Sequence, residues 1–198
     1  MAVEREKGHF TYTDYVGWDD SVRYELIEGI PYMMTAPTWI HQSVSASLIT
    51  QIHSFLYGKP CKVFAAPFDV RLNAAENDDT VVQPDLVVVC DRSKLSGSGC
   101  LGAPDMVVEI LSPSNARYDI LVKFQQYQKA GVKEYWIVDP ERRIVTVFVL
   151  ENGKYVADTY GDTDTVPVFV LEGCQINMQD VFEDAPEAPE VAAEGEAG

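Results

Sequence analysis

The chain has 198 residues, 46% of them hydrophobic and 11% aromatic, which suits one globular domain with a substantial core. Fifteen Lys and Arg face 31 Asp and Glu, a net charge of −16, and this argues against a broad basic surface that binds nucleic acid non-specifically. No apolar run approaches the roughly 20 residues that span a bilayer, and the N-terminus, MAVEREKGHFTY, lacks the apolar core of a signal peptide, so a cytoplasmic protein without membrane contact is expected.

In chain order, TYTDYVGW predicts a short helix capped by Thr13. RYELIEG alternates and ends at Gly29, and with IPYMMT it predicts a tight hairpin. From His41 to Leu56, Val44, Leu48, Ile52 and Leu56 recur at helical spacing and mark an amphipathic helix. CKVFAAPFDVRL reads as a strand made irregular at Pro67, AAENDDT as a polar loop, and VVQPDLVVVC, Val81 to Cys90, as a second strand. DRSKLSGSGCLGAP reads as a Gly/Ser loop and DMVVEIL as a third strand. YDILVKFQQYQKAG predicts a helix with Ile120, Phe124 and Tyr127 on one stripe and Gly131 as its stop. EYWIVDP is a fourth strand, and RIVTVFVLENGKYVADTY a hairpin about Glu151-Asn152-Gly153. The strand–helix–strand order from Asp105 to Asp139 implies a right-handed crossover with parallel pairing, hence an α/β fold with a mixed sheet flanked by helices. Residues 183–198 hold six acids and no basic or aromatic residue, so a disordered acidic tail is predicted to follow a single domain over 1–182.

Cys61, Cys90, Cys100 and Cys174 are widely spaced and form no C-x-x-C pair, which speaks against a zinc site. Cys90 ends an apolar run as a small core residue, and no structural disulfide is expected in a cytoplasmic chain.

Three carboxylates interrupt apolar strands: Asp85, Glu109 and Asp139. Asp139 precedes Pro140 and reads as a strand-ending residue. Glu109, in MVVEIL, has apolar neighbours on its own face of a strand, and an unpartnered buried carboxylate costs several kcal/mol. Either an ion pair with a lysine or arginine holds it, or a metal ion shared with a second carboxylate does. Asp105 has the right parity but lies four residues away, about 13 Å along a strand, too far to chelate one Mg²⁺ at about 2.0–2.1 Å. Asp85, on the preceding apolar segment, is the better partner, since adjacent strands lie about 4.8 Å apart. Lys123 borders the apolar stripe of its helix and sits one turn below Tyr127, from where its stem can carry an ammonium toward the carboxylates; taken alone it is an ordinary solvated helix residue. His41 begins a helix and reads equally as a hydrogen bonder there or as a catalytic group, while Ser112 and Ser114 shape a turn and cap a helix.

YELIEG, the histidine of APTWIH, QPDLVVV, VVEILSPS and KFQQYQKAGVKEYWIVDP occur in the order seen in the Uma-two family, and from about Phe10 to Phe182 the chain resembles that family of restriction-endonuclease-like nucleases in the PD-(D/E)XK superfamily. The resemblance implies a restriction-endonuclease-like fold, with Asp85 as the aspartate of the PD element and Glu109 as the acid of the (D/E)XK element. The lysine position two residues after Glu109 holds Leu111; in the family the lysine migrates to the following helix, where this chain has Lys123. Glu25 matches the family's early glutamate, an added metal or water ligand.

The implied activity is Mg²⁺- or Mn²⁺-dependent hydrolysis of DNA phosphodiesters. Asp85, Glu109 and the Ile110 carbonyl would hold the ion. Lys123 would orient water or stabilise developing charge. Arg117, Lys123, Lys129 and Lys133, on or near one helix, would make a locally basic groove in an acidic chain. The runner-up is a non-catalytic member of the same fold, working as a homodimer that binds nucleic acid or a partner without cutting. A third reading is a metal-dependent phosphohydrolase of small phosphate esters.

Overall fold

The computed structural model describes residues 8–18, 22–97, 99–112 and 118–187. A helix α1 (Tyr12–Tyr15) precedes the hairpin β1 (Tyr24–Ile27) and β2 (Ile30–Met33), the long helix α2 (Trp39–Leu56), and strands β3 (Lys62–Ala65), β4 (Asp69–Arg71), β5 (Val81–Val82) and β6 (Leu86–Val89). Then come β7 (Leu95–Ser96), β8 (Gly99–Leu101), β9 (Met106–Ile110), α3 (Tyr118–Ala130), β10 (Glu134–Asp139), β11 (Ile144–Glu151) and β12 (Lys154–Tyr160). The chain closes with β13 (Thr165–Pro167), β14 (Gln175–Asn177) and α4 (Met178–Val181). No helix among the described residues is long and apolar enough to cross a membrane.

Two six-stranded sheets carry the molecule, ordered β2-β1-β5-β4-β8-β7 and β12-β11-β10-β9-β6-β3. In the second sheet β9 and β10 are parallel and joined through α3, as the crossover pattern predicts, while the other neighbours are antiparallel. One face of this sheet, with Leu86, Val88, Met106, Val108, Ile110 and Trp136, packs on Val44, Leu48, Ile52 and Leu56 of α2. The other, with Val87, Val89, Val107 and Tyr135, packs on Tyr127 of α3 and on Ile27, Val70 and Val82 of the first sheet. Burial on both faces is why β9 reads as an almost unbroken apolar run.

Several expectations shift in detail. The first helix is capped by Thr11, not Thr13, because Thr11 N–H donates to the Asp14 carboxylate at 2.8 Å and closes a capping box. Each of the two long segments read as single strands divides between sheets: β3 and β4 part around Pro67, and β5 and β6 part at Gln83-Pro84-Asp85. The Gly/Ser stretch after Cys90 contains β7 and β8, an antiparallel pair that extends the first sheet. Cys61 and Cys90 form a disulfide where the β3–β6 ladder ends, against the expectation of none. The hairpin at Glu28-Gly29 is as expected, both residues having positive φ, the geometry of a primed two-residue turn. Chain 183–187 continues the fold, Ala185 being buried on the core of α2, so packing runs past the predicted boundary at 182; residues 188–198 lie outside the described residues, as do Ser114, Arg117 and the side chain of Ile120.

Candidate functional site

The two long segments change sheets close together, and the polar residues gather where they do. β1 is buried along its whole length and delivers Glu25. Glu25 Oε1 accepts the backbone N–H of Gln83 at 2.8 Å, tying the first sheet to the crossing that leads into β6.

Lys123 arrives from α3. Its Nζ lies 2.8 Å from Glu25 Oε1 and 3.1 Å from Glu109 Oε1, with the side chain 9% exposed. Burial by itself would lower the pKa of this ammonium, but Glu109 and Glu25 outweigh burial and raise it above the ordinary lysine value. One turn along, Tyr127 donates its hydroxyl to Glu109 Oε1 at 2.6 Å. The Glu109 side chain is only 12% exposed. Its carboxyl is pushed up to about 7: burial, joined by Asp85 and Glu25, raises it more than Lys123 and the Tyr127 hydroxyl lower it. An ion pair and a tyrosine hydroxyl thus hold the charge that the β9 pattern makes puzzling.

Asp85 sits in the crossing between β5 and β6, one residue before β6 begins. Leu86 pairs with Val108 across the antiparallel β6–β9 ladder, which sets Asp85 beside Glu109 at the sheet's end. Asp85 Oδ2 accepts the Ile110 N–H at 2.7 Å and contacts His41 Nε2 at 3.2 Å. His41 lies in the first turn of α2, capped by Thr38, whose hydroxyl accepts the His41 N–H at 3.3 Å. Burial lowers the imidazole's pKa, but Asp85, Glu109 and the Ile110 backbone raise it more, and the net shift is upward. His41 Nδ1 is buried with no hydrogen-bond partner among the described residues.

The structure therefore brings together all of Glu25, His41, Asp85, Glu109, Ile110 and Lys123. It leaves out Asp105, which accepts from Cys90 N–H and Lys133, and Asp139, which accepts the backbone N–H groups of Glu141 and Arg142 in the turn to β11. The basic groove expected along α3 is corrected. Lys123 is buried between two acids, Lys129 pairs with Glu28 at 3.6 Å and Lys133 with Asp105 at 2.6 Å, so these charges are answered within the protein. Sequence reasoning placed Tyr127 in the core stripe and overlooked its hydroxyl; the signal was its spacing of four from Lys123. It also overlooked Gln83, two residues before Asp85.

Whether this set suits a divalent cation can be tested on its donors. Asp85 Oδ1 and Glu109 Oε2 accept no hydrogen bond from the described residues. Glu25 and Glu109 face the Lys123 ammonium, and Asp85 faces the His41 imidazole. Among the described residues no three His, Cys, Asp or Glu side chains form a cage. Two carboxylates with excess negative charge and hard oxygen donors fit Mg²⁺ or Mn²⁺, ions held by one or two carboxylates with retained waters, rather than Zn²⁺.

A family model, Uma2, described as "Putative restriction endonuclease", matches residues 12–179. An uncharacterized protein of Synechocystis sp. is 28% identical over 116 residues, covering 58% of this chain; the chain spans 60% of that protein's length. The crystal structure of a protein from Anabaena variabilis, titled a putative nuclease belonging to DUF820, superposes with a TM-score of 0.72 at 19% identity, covering 88% of this chain and 98% of that one. That likeness is one of fold.

Proposed function

Since the chain belongs to the Uma2 family of restriction-endonuclease-like proteins, we propose that it is a metal-dependent DNA endonuclease whose site comprises Asp85, Glu109 and Lys123, with Glu25 and His41 in support. One observation carries this reading: Lys123 places its ammonium 3.1 Å from Glu109 although Leu111 occupies the superfamily's usual lysine position.

Asp85, Glu109 and the Ile110 carbonyl would hold Mg²⁺ or Mn²⁺. When bound, the ion supplies Lewis-acid neutralisation of the phosphate and a more acidic water. The chain's own residues supply position. Glu25 anchors Lys123 from the first sheet, so the ammonium is presented beside Glu109 without a search through rotamers. Lys123 orients the attacking water or stabilises charge on the phosphate oxygens. Tyr127 fixes the Glu109 carboxylate, and the Ile110 N–H fixes Asp85. His41 Nε2 and the Ile110 N–H both meet Asp85 at Oδ2, and Oδ1 accepts no hydrogen bond from the described residues.

A non-catalytic role draws on one specific observation: Lys123 is already engaged by two carboxylates. Incubation of the full chain with supercoiled plasmid and, separately, with bis(p-nitrophenyl) phosphate, each in Mg²⁺, Mn²⁺ or EDTA, separates the readings. Metal-dependent nicking that Asp85→Asn and Glu109→Gln abolish is the expected result. Turnover of the small ester alone would mean a phosphohydrolase, and DNA binding without cutting would mean a binding domain.

A further inference from the structure

We propose that Arg23 is a phosphate-binding residue at the rim of this site, seating a backbone phosphate of the substrate strand next to the one attacked; the inference rests on the nuclease reading. Arg23 immediately precedes β1 and stands two residues before Glu25. Its Nε and Nη2 donate to one acceptor, Gln83 Oε1, at 3.0 and 2.6 Å. Gln83 is no loose partner. Its Nε2 donates to Tyr15 OH and to Asp69 Oδ1, both at 2.9 Å, and its backbone N–H donates to Glu25. The amide is therefore locked, and the guanidinium is held by a residue two positions before Asp85 in the chain.

The setting of Arg23 differs from that of the cations on and after α3 and on β4. Lys123, Lys129, Lys133 and Arg71 all contact carboxylates. Arg23 contacts none among the described residues; Asp69 lies behind the amide, bonded to its nitrogen. A guanidinium has five donors in a rigid fork, and the Nε edge uses two of them. The remaining edge, on an exposed residue, matches two phosphate oxygens. A neutral amide holds the side chain in place without cancelling its charge, which is what an anion-binding arginine needs and a structural one does not.

The test is fluorescence anisotropy of a labelled DNA duplex with the full chain in Ca²⁺, titrated across salt, for the unmodified protein, Arg23→Gln, Arg23→Lys and, on the distant edge strand, Lys154→Gln. Loss of one phosphate contact should weaken binding by roughly 3- to 10-fold and lower the slope of log affinity against log salt by about one. Arg23→Lys should keep the slope, and Lys154→Gln should leave both affinity and slope unchanged. An Arg23→Gln protein that melts normally and binds with an unaltered slope overturns the assignment while leaving the nuclease reading intact if the unmodified chain cuts plasmid. An unmodified chain that neither binds nor cuts DNA removes both.

Discussion

Lys123 Nζ and Glu109 Oε1 lie 3.1 Å apart across fourteen residues of chain, a helix side chain reaching back over the strand that precedes it. Glu25 takes hold of the same nitrogen from the other sheet. This pairing makes Lys123 structural as well as chemical. In metal-free protein, Lys123→Ala leaves Glu25 and Glu109 facing each other without a cation and is expected to cost about 3–5 kcal/mol in urea unfolding. A loss under about 1 kcal/mol would show the pair to be solvated rather than buried.

Glu109 should make the metal-free fold pH-dependent. Its folded pKa, about 7, lies above the ordinary value of 4.5, so the folded state holds this proton more tightly than the unfolded chain. The resulting stability is full below about pH 4.5 and is lost as pH rises through 7, a span of at most roughly 3 kcal/mol. Urea midpoints in EDTA should fall across this window for the unmodified chain, and that component should vanish in Glu109→Gln.

Metal binding should run the opposite way. Calorimetry with Mn²⁺ near pH 6 is expected to show proton release and affinity that rises with pH, because the ion needs the Glu109 carboxylate ionised. Asp85→Asn and Glu109→Gln should each abolish the heat. Unchanged affinity in both variants removes the two-carboxylate chelate.

Tyr127→Phe deletes one hydroxyl and leaves the ring packing in place. Loss of its 2.6 Å hydrogen bond to Glu109 should cost about 1–2 kcal/mol in EDTA and raise the Glu109 pKa further. In a cutting assay it should lower turnover more than metal affinity, since the carboxylate remains but is less well oriented. Equal stability and equal turnover would make the hydroxyl incidental.

Migration of the lysine function has its own readout. If the chain cuts DNA, Lys123→Arg should retain the fold through its charge, yet turn over at least about tenfold more slowly, because a planar guanidinium cannot sit where a compact ammonium does. Full activity in that variant would mean that Lys123 contributes charge without position.

Local chemistry was enough to determine much of this molecule. The α2 stripe of Val44, Leu48, Ile52 and Leu56 faces the core as its spacing requires, and the Glu28-Gly29 and Asn152-Gly153 turns close their hairpins through positive φ. The run of β9 with one acid in it was enough to single out Glu109, because a charge in a doubly buried strand must have a partner. Partners are another matter. An apolar run reads alike whether it stays in one sheet or crosses between two, so the divisions at Pro67 and at Gln83-Pro84-Asp85 came only with the tertiary structure. The same holds for Cys61 meeting Cys90, for Glu25 meeting Lys123, and for Lys129 and Lys133 being neutralised by Glu28 and Asp105. Each joins residues distant in the chain, and periodicity and propensity act over a few residues, whereas the energy of a buried charge is decided by whatever the fold sets within a few ångströms of it.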